Sequence, residues 1–148
     1  MRSRIANWYE VVIRYDKTME DGLQKKITEY YVVDALSFGE AEEIITQEMS
    51  SYISGEFEVK NITPAAFHEV YFSDNDNDDR WYKAKVSYIE FDEKTEKEKH
   101  TNVTYLVQAG SFNGAVKNME EAMKGSMRDF AVVNICETKF LDVYEHKG

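Results

Sequence analysis

Proline occurs once and cysteine once in 148 residues, and no apolar run approaches the roughly 18 residues of a membrane span. The single Cys136 excludes an internal disulfide. One Pro and seven Gly leave room for long, uninterrupted secondary structure. The chain has no phosphate loop, no dinucleotide-binding glycine pattern and no nucleophile elbow. Its three histidines, His68, His100 and His146, stand in unrelated segments with no Cys or carboxylate at zinc-ligand spacing. The start, Met1 to Trp8, carries the charge of a secretory leader without its apolar core, so the cytoplasm is the expected address.

What is abundant is aromatic and acidic. Ten Tyr, eight Phe and two Trp point to a packed, strand-rich chain, because chains that stay disordered are poor in aromatics. At this length a core forms without a disulfide or metal to staple it. The formal net charge of −10 is distributed unevenly: −6 over residues 1–72, −3 over residues 73–80 and −1 over residues 81–148. Such a charge keeps a protein soluble and repels phosphate backbones. A polyanion-binding face therefore belongs in the second half if anywhere.

The chain repeats itself. Trp8-Tyr9 recurs as Trp81-Tyr82, and Tyr31-Val32-Val33-Asp34-Ala35-Leu36-Ser37-Phe38 matches Tyr105-Leu106-Val107-Gln108-Ala109-Gly110-Ser111-Phe112. Phe57, Val59, Asn61 and Ile62 return as Phe130, Val132, Asn134 and Ile135, and Phe67, Val70 and Tyr71 as Phe140, Val143 and Tyr144. The offset changes by one residue only where turns are expected, which is where related folds tolerate insertion.

Periodicity assigns the elements. Tyr9, Val11, Ile13 and Tyr15 alternate with Trp8, Glu10, Val12 and Arg14, and Tyr82, Ala84, Val86 and Tyr88 alternate with Trp81, Lys83, Lys85 and Ser87, as half-buried strands do. Polar turns at residues 17–22 and 92–97 predict hairpins onto strands near 24–33 and 99–107. Ser37 and Glu40 form a capping box that opens a helix carrying Ala41, Ile44, Ile45, Met49 and Tyr52. Ala115, Met119, Ala122 and Met123 repeat that helix. Third and fourth strands near 56–62 with 66–72, and 129–135 with 139–145, complete each copy. The fold class is α+β: a tandem β-β-α-β-β unit, with two antiparallel sheets or one continuous sheet and one helix per repeat. Repeat 1 spans residues 8–72, an acidic linker 73–80, and repeat 2 residues 81–146. A four-stranded sheet with one helix covers only one face, so the two copies are expected to gain by packing together.

Candidate sites are few. Asp74, Asp76 and Asp78 have the alternate spacing of a calcium loop, but Asp79 stands where glycine must allow the turn and Lys85 where a bidentate Glu closes the shell. A solvated linker is the expectation, with no metal and no cofactor. Glu42-Glu43 and Glu120-Glu121 read as solvated helix faces, and Cys136 as an inert core residue in a strand. With the tyrosine faces inward, Trp81, Lys83 and Lys85 share the outward face near the Lys94, Lys97 and Lys99 hairpin, and aromatics beside cations can stack bases and steer phosphate. Against this, Trp8 occupies the equivalent place in repeat 1 with Glu10 where repeat 2 has Lys83, which fits tryptophans that cover a hydrophobic edge.

The stretches Trp8-Tyr9-Glu10-Val11, Asp34-Ala35-Leu36-Ser37-Phe38, Ser54-Gly55-Glu56-Phe57-Glu58-Val59-Lys60 and Asp79-Arg80-Trp81-Tyr82-Lys83 resemble an uncharacterised domain family of Bacteroides-type bacteria and their phages and mobile elements. The resemblance implies a setting and carries no activity onto any residue. The leading expectation is a non-catalytic binding or regulatory protein that presents an acidic surface to a protein partner. The alternatives are a single-stranded nucleic-acid-binding accessory protein using Trp81, Lys83 and Lys85, and an enzyme with a site at the repeat junction. No membrane partner is expected, and the oligomeric state is open.

Overall fold

Alternation along the first strand of each repeat separates a helix-facing row from an outward row, and the computed structural model, which describes residues 7–146, bears out that separation. Strands β1 (Asn7–Thr18) and β2 (Gln24–Ala35) form a hairpin, α1 (Phe38–Ser50) follows, and β3 (Phe57–Pro64) returns against β1. After β4 (Val70–Tyr71), the second copy repeats the pattern as β5 (Arg80–Asp92), β6 (Lys97–Ala109), α2 (Phe112–Ala122), β7 (Asp129–Glu137) and β8 (Phe140–Tyr144). The fold is α+β, a duplicated β-β-α-β-β unit with two separate four-stranded sheets.

The last strand of each copy departs from expectation. The sheets run β3-β1-β2-β8 and β4-β6-β5-β7, so β8 lies parallel to β2 and β4 lies parallel to β6. Each sheet is therefore mixed instead of wholly antiparallel, and each borrows its parallel strand from the other repeat. Unit 1 consists of the chain through Ala65 and again from Lys139, and unit 2 of Ala66–Thr138. Connection length explains why β8 does not take the slot beside β6. The two residues between β7 and β8 span about 10 Å when extended, and reaching past β5 and β6 takes three strand spacings, roughly 14 Å.

Each unit has its own core. In unit 1, Tyr9, Val11, Ile13, Tyr31, Val33 and Ala35 pack on Ala41, Ile45 and Met49 of α1, with Phe57, Val59, Ile62 and Tyr144 at the border. In unit 2, Tyr82, Ala84, Val86, Tyr88, Tyr105 and Val107 pack on Ala115, Met119 and Met123. Both helices start on a serine cap: Ser37 Oγ accepts the Glu40 N–H at 3.1 Å and Ser111 Oγ accepts the Gly114 N–H at 3.0 Å. Glu40 Oε1 reaches back to the Leu36 N–H at 3.2 Å, one residue before the cap itself.

The residues between β4 and β5 are ordered by their own side chains. Ser73 donates its hydroxyl hydrogen to Asp78 Oδ2, the Asn77 N–H bonds Asn75 Oδ1 at 3.0 Å, and the Ser73 N–H bonds Gln108 Oε1 at 3.0 Å. This segment lies directly on Gly110, where a Cβ would stand 3.0 Å from Asp78 Oδ1 and 3.3 Å from the Asn77 carbonyl oxygen. Repeat 1 has Leu36 at that place. Replacing Gly110 with Ala is expected to displace the segment and cost about 1–3 kcal/mol by overpacking. Chemical denaturation with Leu36→Ala as the unobstructed control checks this.

Candidate functional site

Helical spacing puts Glu40, Ile44, Gln47 and Glu48 on one flank of α1, and the parallel placement of β8 beside β2 brings Val143, Tyr144, Glu145 and His146 opposite them. Between the two walls runs a groove of about 590 Å³. Ile44, Val143 and Tyr144 supply apolar surface, and Glu40, Glu48 and Glu145 supply carboxylates. His146 Nε2 lies 2.8 Å from Glu40 Oε1, the same oxygen that accepts the Leu36 N–H, so one carboxylate ties the end of β8 to the start of α1. The pair is mostly buried, with side chains 13% and 28% exposed, and His146 Nδ1 is buried without a hydrogen-bond partner.

A tyrosine cluster backs the groove. The Tyr144 ring stacks on Tyr31 at 5.9 Å, and the Tyr31 and Tyr15 hydroxyls donate to the two oxygens of Glu29 at 3.0 and 3.2 Å. Burial, then the charges of Asp142 and Glu48, push the Tyr144 hydroxyl up to about 12. Burial and the bond to Glu29 raise Tyr31 further, and burial followed by Glu29 raises Tyr15. All three therefore stay protonated near neutrality, which lets Tyr31 and Tyr15 donate to Glu29. The groove can accept cationic and apolar groups.

Unit 2 has a corresponding hollow between α2 and β4, but there Asn118 and Ala122 take the places of Ile44 and Glu48. Asn118 Nδ2 bonds the Gln108 carbonyl at 2.9 Å, and Ser73 anchors the segment after β4 on the Gln108 side chain. Duplication has kept the hollow and rearranged its charge: Asp74 and Glu121 line it, while no carboxylate stands at the places of Glu40, Glu48 and Glu145.

The residues singled out from sequence are scattered by comparison. Trp8 and Trp81 point away from the helices as alternation requires, yet they are only 5% and 2% exposed, and Phe72 meets the Trp81 ring edge-on at 5.5 Å. Neither offers a ring face to a base. Lys83 is half-buried, whereas Lys85 is exposed. Lys94, Lys97 and Lys99 are exposed at the tip of the β5–β6 hairpin, where Lys97 stands opposite Asp92 and Lys99 opposite Glu90, the latter already paired with Arg128 at 2.8 Å, so the lysines sit among acidic neighbours. Asp74 and Asp76 are exposed, Asp78 is taken up by Ser73, and among the described residues no group of three His, Cys, Asp or Glu side chains is placed to hold a metal ion. Cys136 is exposed, contrary to its reading as a core residue, because it lies opposite Lys83 on the sheet face away from α2 and on the last strand of the sheet. Among the described residues no helix is long and apolar enough to cross a membrane.

His146 and Glu40 went unpaired in the sequence because they lie on different repeats, about a hundred residues apart. Only the exchange of final strands brings them together.

The fold and groove define a class of small duplicated α+β proteins in which each sheet completes itself with a parallel strand from the other repeat. The chain belongs to the family of the domain of unknown function DUF4494, whose model matches residues 7–146. No curated protein matches the sequence.

Proposed function

We propose that the chain is a non-catalytic binding and regulatory protein that takes a basic segment of a protein partner into the groove between α1 and β8. The observation that carries this reading is the groove's composition: Glu40, Glu48 and Glu145 around the apolar surface of Ile44, Val143 and Tyr144. Carboxylates at a concave rim draw in cations and fix their register, while the apolar floor supplies contact area. The excess of acidic residues in the first repeat adds long-range attraction of the same sign. The setting we attach to it is the cytoplasm of a Bacteroides-type host, on a phage or mobile element, as the family resemblance implies.

Titration of the full chain with a library of Lys- and Arg-containing peptides tests the reading. Saturable binding is expected that weakens with added salt, and Glu48→Lys is expected to weaken it by about tenfold or more, the scale of a lost charge pair. A library without a single binder, or binding that Glu48→Lys leaves unchanged, overturns it.

A single-stranded nucleic-acid reading keeps one supporting observation. Phe91 is 64% exposed beside Lys94 and Lys99, on a surface it shares with Glu90, Asp92 and Glu93, and it supplies the accessible ring that Trp8 and Trp81 do not. Binding of that kind falls steeply between about 50 and 200 mM salt. Loss of oligonucleotide binding in Phe91→Ala, with Lys83 and Lys85 intact, distinguishes it from the groove reading.

A further inference from the structure

The two repeats differ most tellingly at the edge strands β3 and β7. These strands correspond residue for residue, and both carry a bulge at the same place: Lys60 is the extra residue against Val12 and Ile13, and Val133 is the extra residue against Lys85 and Val86. In β3, Glu58, Lys60 and Pro64 guard the open edge, since charges and proline, together with the bulge that both strands share, keep an edge from pairing with another chain. In β7 the same positions hold Ala131, Val133 and Glu137. From Phe130 to Cys136 the strand has no charge, proline or glycine, and Ala131, Val133, Asn134 and Cys136 are exposed. The sheet order ends at β7, so its outward backbone groups face no strand among the described residues.

We propose that a second copy of this chain pairs antiparallel along the β7 edge and forms a two-fold dimer. Residues opposed in an antiparallel pair share a face of the sheet. Phe130, Val132 and Ile135 pack on the α2 side, while Ala131, Asn134 and Cys136 lie opposite Ser87, Lys85 and Lys83 on the other. Because the bulge shifts the alternation by one, β7 matches itself when Phe130 faces Ile135. The same register sets Ala131 against Asn134, Asp129 against Cys136, and Arg128 against Glu137 at both ends. Moving it by two residues also preserves the faces, but it sets Phe130 against Glu137 and Arg128 against Lys139, which is a like-charge pair. Arg128, just before the strand, pairs with Glu90 at 2.8 Å and Glu137, at its end, with Arg80 at 3.7 Å, so the second copy's charges extend these exposed pairs, and that complementarity selects the partner and the register. The dimer rests on unit 2 alone and is independent of the groove in unit 1.

Sedimentation of the full chain up to about 0.5 mM, where even a weak edge contact is populated, is expected to show mass rising toward twice 17.3 kDa. Val133→Lys installs at the exposed bulge the residue that β3 already carries, and it is expected to hold the chain monomeric with its circular dichroism unchanged. Opposed antiparallel residues sit at Cα separations of about 4.5–5.5 Å, within the span of a disulfide. Asp129→Cys is thus expected to oxidise to a covalent dimer through native Cys136, and Ala131→Cys is expected not to. A monomer at every concentration, a dimer indifferent to Val133→Lys, or cross-linking through Ala131→Cys instead of Asp129→Cys overturns the proposal.

Discussion

Deleting the chain from Lys139 onward is expected to unfold unit 1 while leaving the secondary structure of unit 2 in place. The deleted segment is the last part of repeat 2, and its removal would be harmless to the first repeat if each copy closed its own sheet. It does not, because β8 pairs with β2 through Tyr30, Tyr31, Val32 and Val33. Val143 is 7% exposed, Tyr144 covers Tyr31, and His146 ties the strand to Glu40. Losing a buried Val and a largely buried Tyr together costs on the order of 4–8 kcal/mol from cavity and transfer effects, which matches the 5–15 kcal/mol that holds a whole domain together. Separate expression of residues 1–72 and 73–148 extends the test. Each fragment lacks the strand its sheet needs, the second also losing buried Phe67 and Val70, and the two are expected to recover native circular dichroism only when mixed. Amide exchange that stays slow in β1 and β2 of the truncated chain would show that unit 1 stands without β8.

That exchange is the part of the fold the sequence conceals, and the reason is physical. Alternation of apolar and polar residues states that Val143 and Tyr144 belong to a strand with one face inward, but it is silent about which neighbour supplies the hydrogen bonds. Elements whose partners lie close in the chain were legible: the β1–β2 and β5–β6 hairpins, both helices and the Ser37 cap all follow from local spacing. Trp8 and Trp81 show what alternation leaves open on the other face. Their outward position follows from alternation, whereas their burial depends on what covers them. Cys136 erred in the opposite direction, since a residue in an apolar strand is exposed when that strand ends a sheet. The groove was hidden for the same reason as the exchange, because Glu40 and Glu48 share a helical flank but become a wall only once β8 arrives from the other repeat. The contrast between β3 and β7 was present in the alignment of the repeats. It acquires meaning only from the finding that both strands are edges.

Alkaline pH is expected to unfold both units beginning just above pH 10, and the tyrosines supply the reason. Tyr31 and Tyr105 are 3% and 5% exposed, and both titrate well above the ordinary value of 10.0. Burial is the first cause in each, reinforced by Glu29 at Tyr31 and by the 2.6 Å hydroxyl pair with Tyr88 at Tyr105. Tyr144 is raised to about 12, and Tyr15 and Tyr71 are raised as well, again chiefly by burial. A raised native value means that the folded state keeps a proton the unfolded chain releases. The associated stability is complete below the unfolded value near 10 and is lost as pH climbs toward the native one. Each fully shifted tyrosine contributes a slope of about 1.4 kcal/mol per pH unit, so between about pH 10.5 and 11.5 Tyr31 removes on the order of 1 kcal/mol from unit 1 and Tyr105 as much from unit 2, and the more exposed tyrosines add less. Tyrosinate absorbance and far-ultraviolet circular dichroism are therefore expected to change together, with Tyr105→Phe reducing the steepness by close to one proton. Gradual tyrosinate formation while the circular dichroism stays native would show that these hydroxyls ionise within the folded chain and that burial does not hold them protonated.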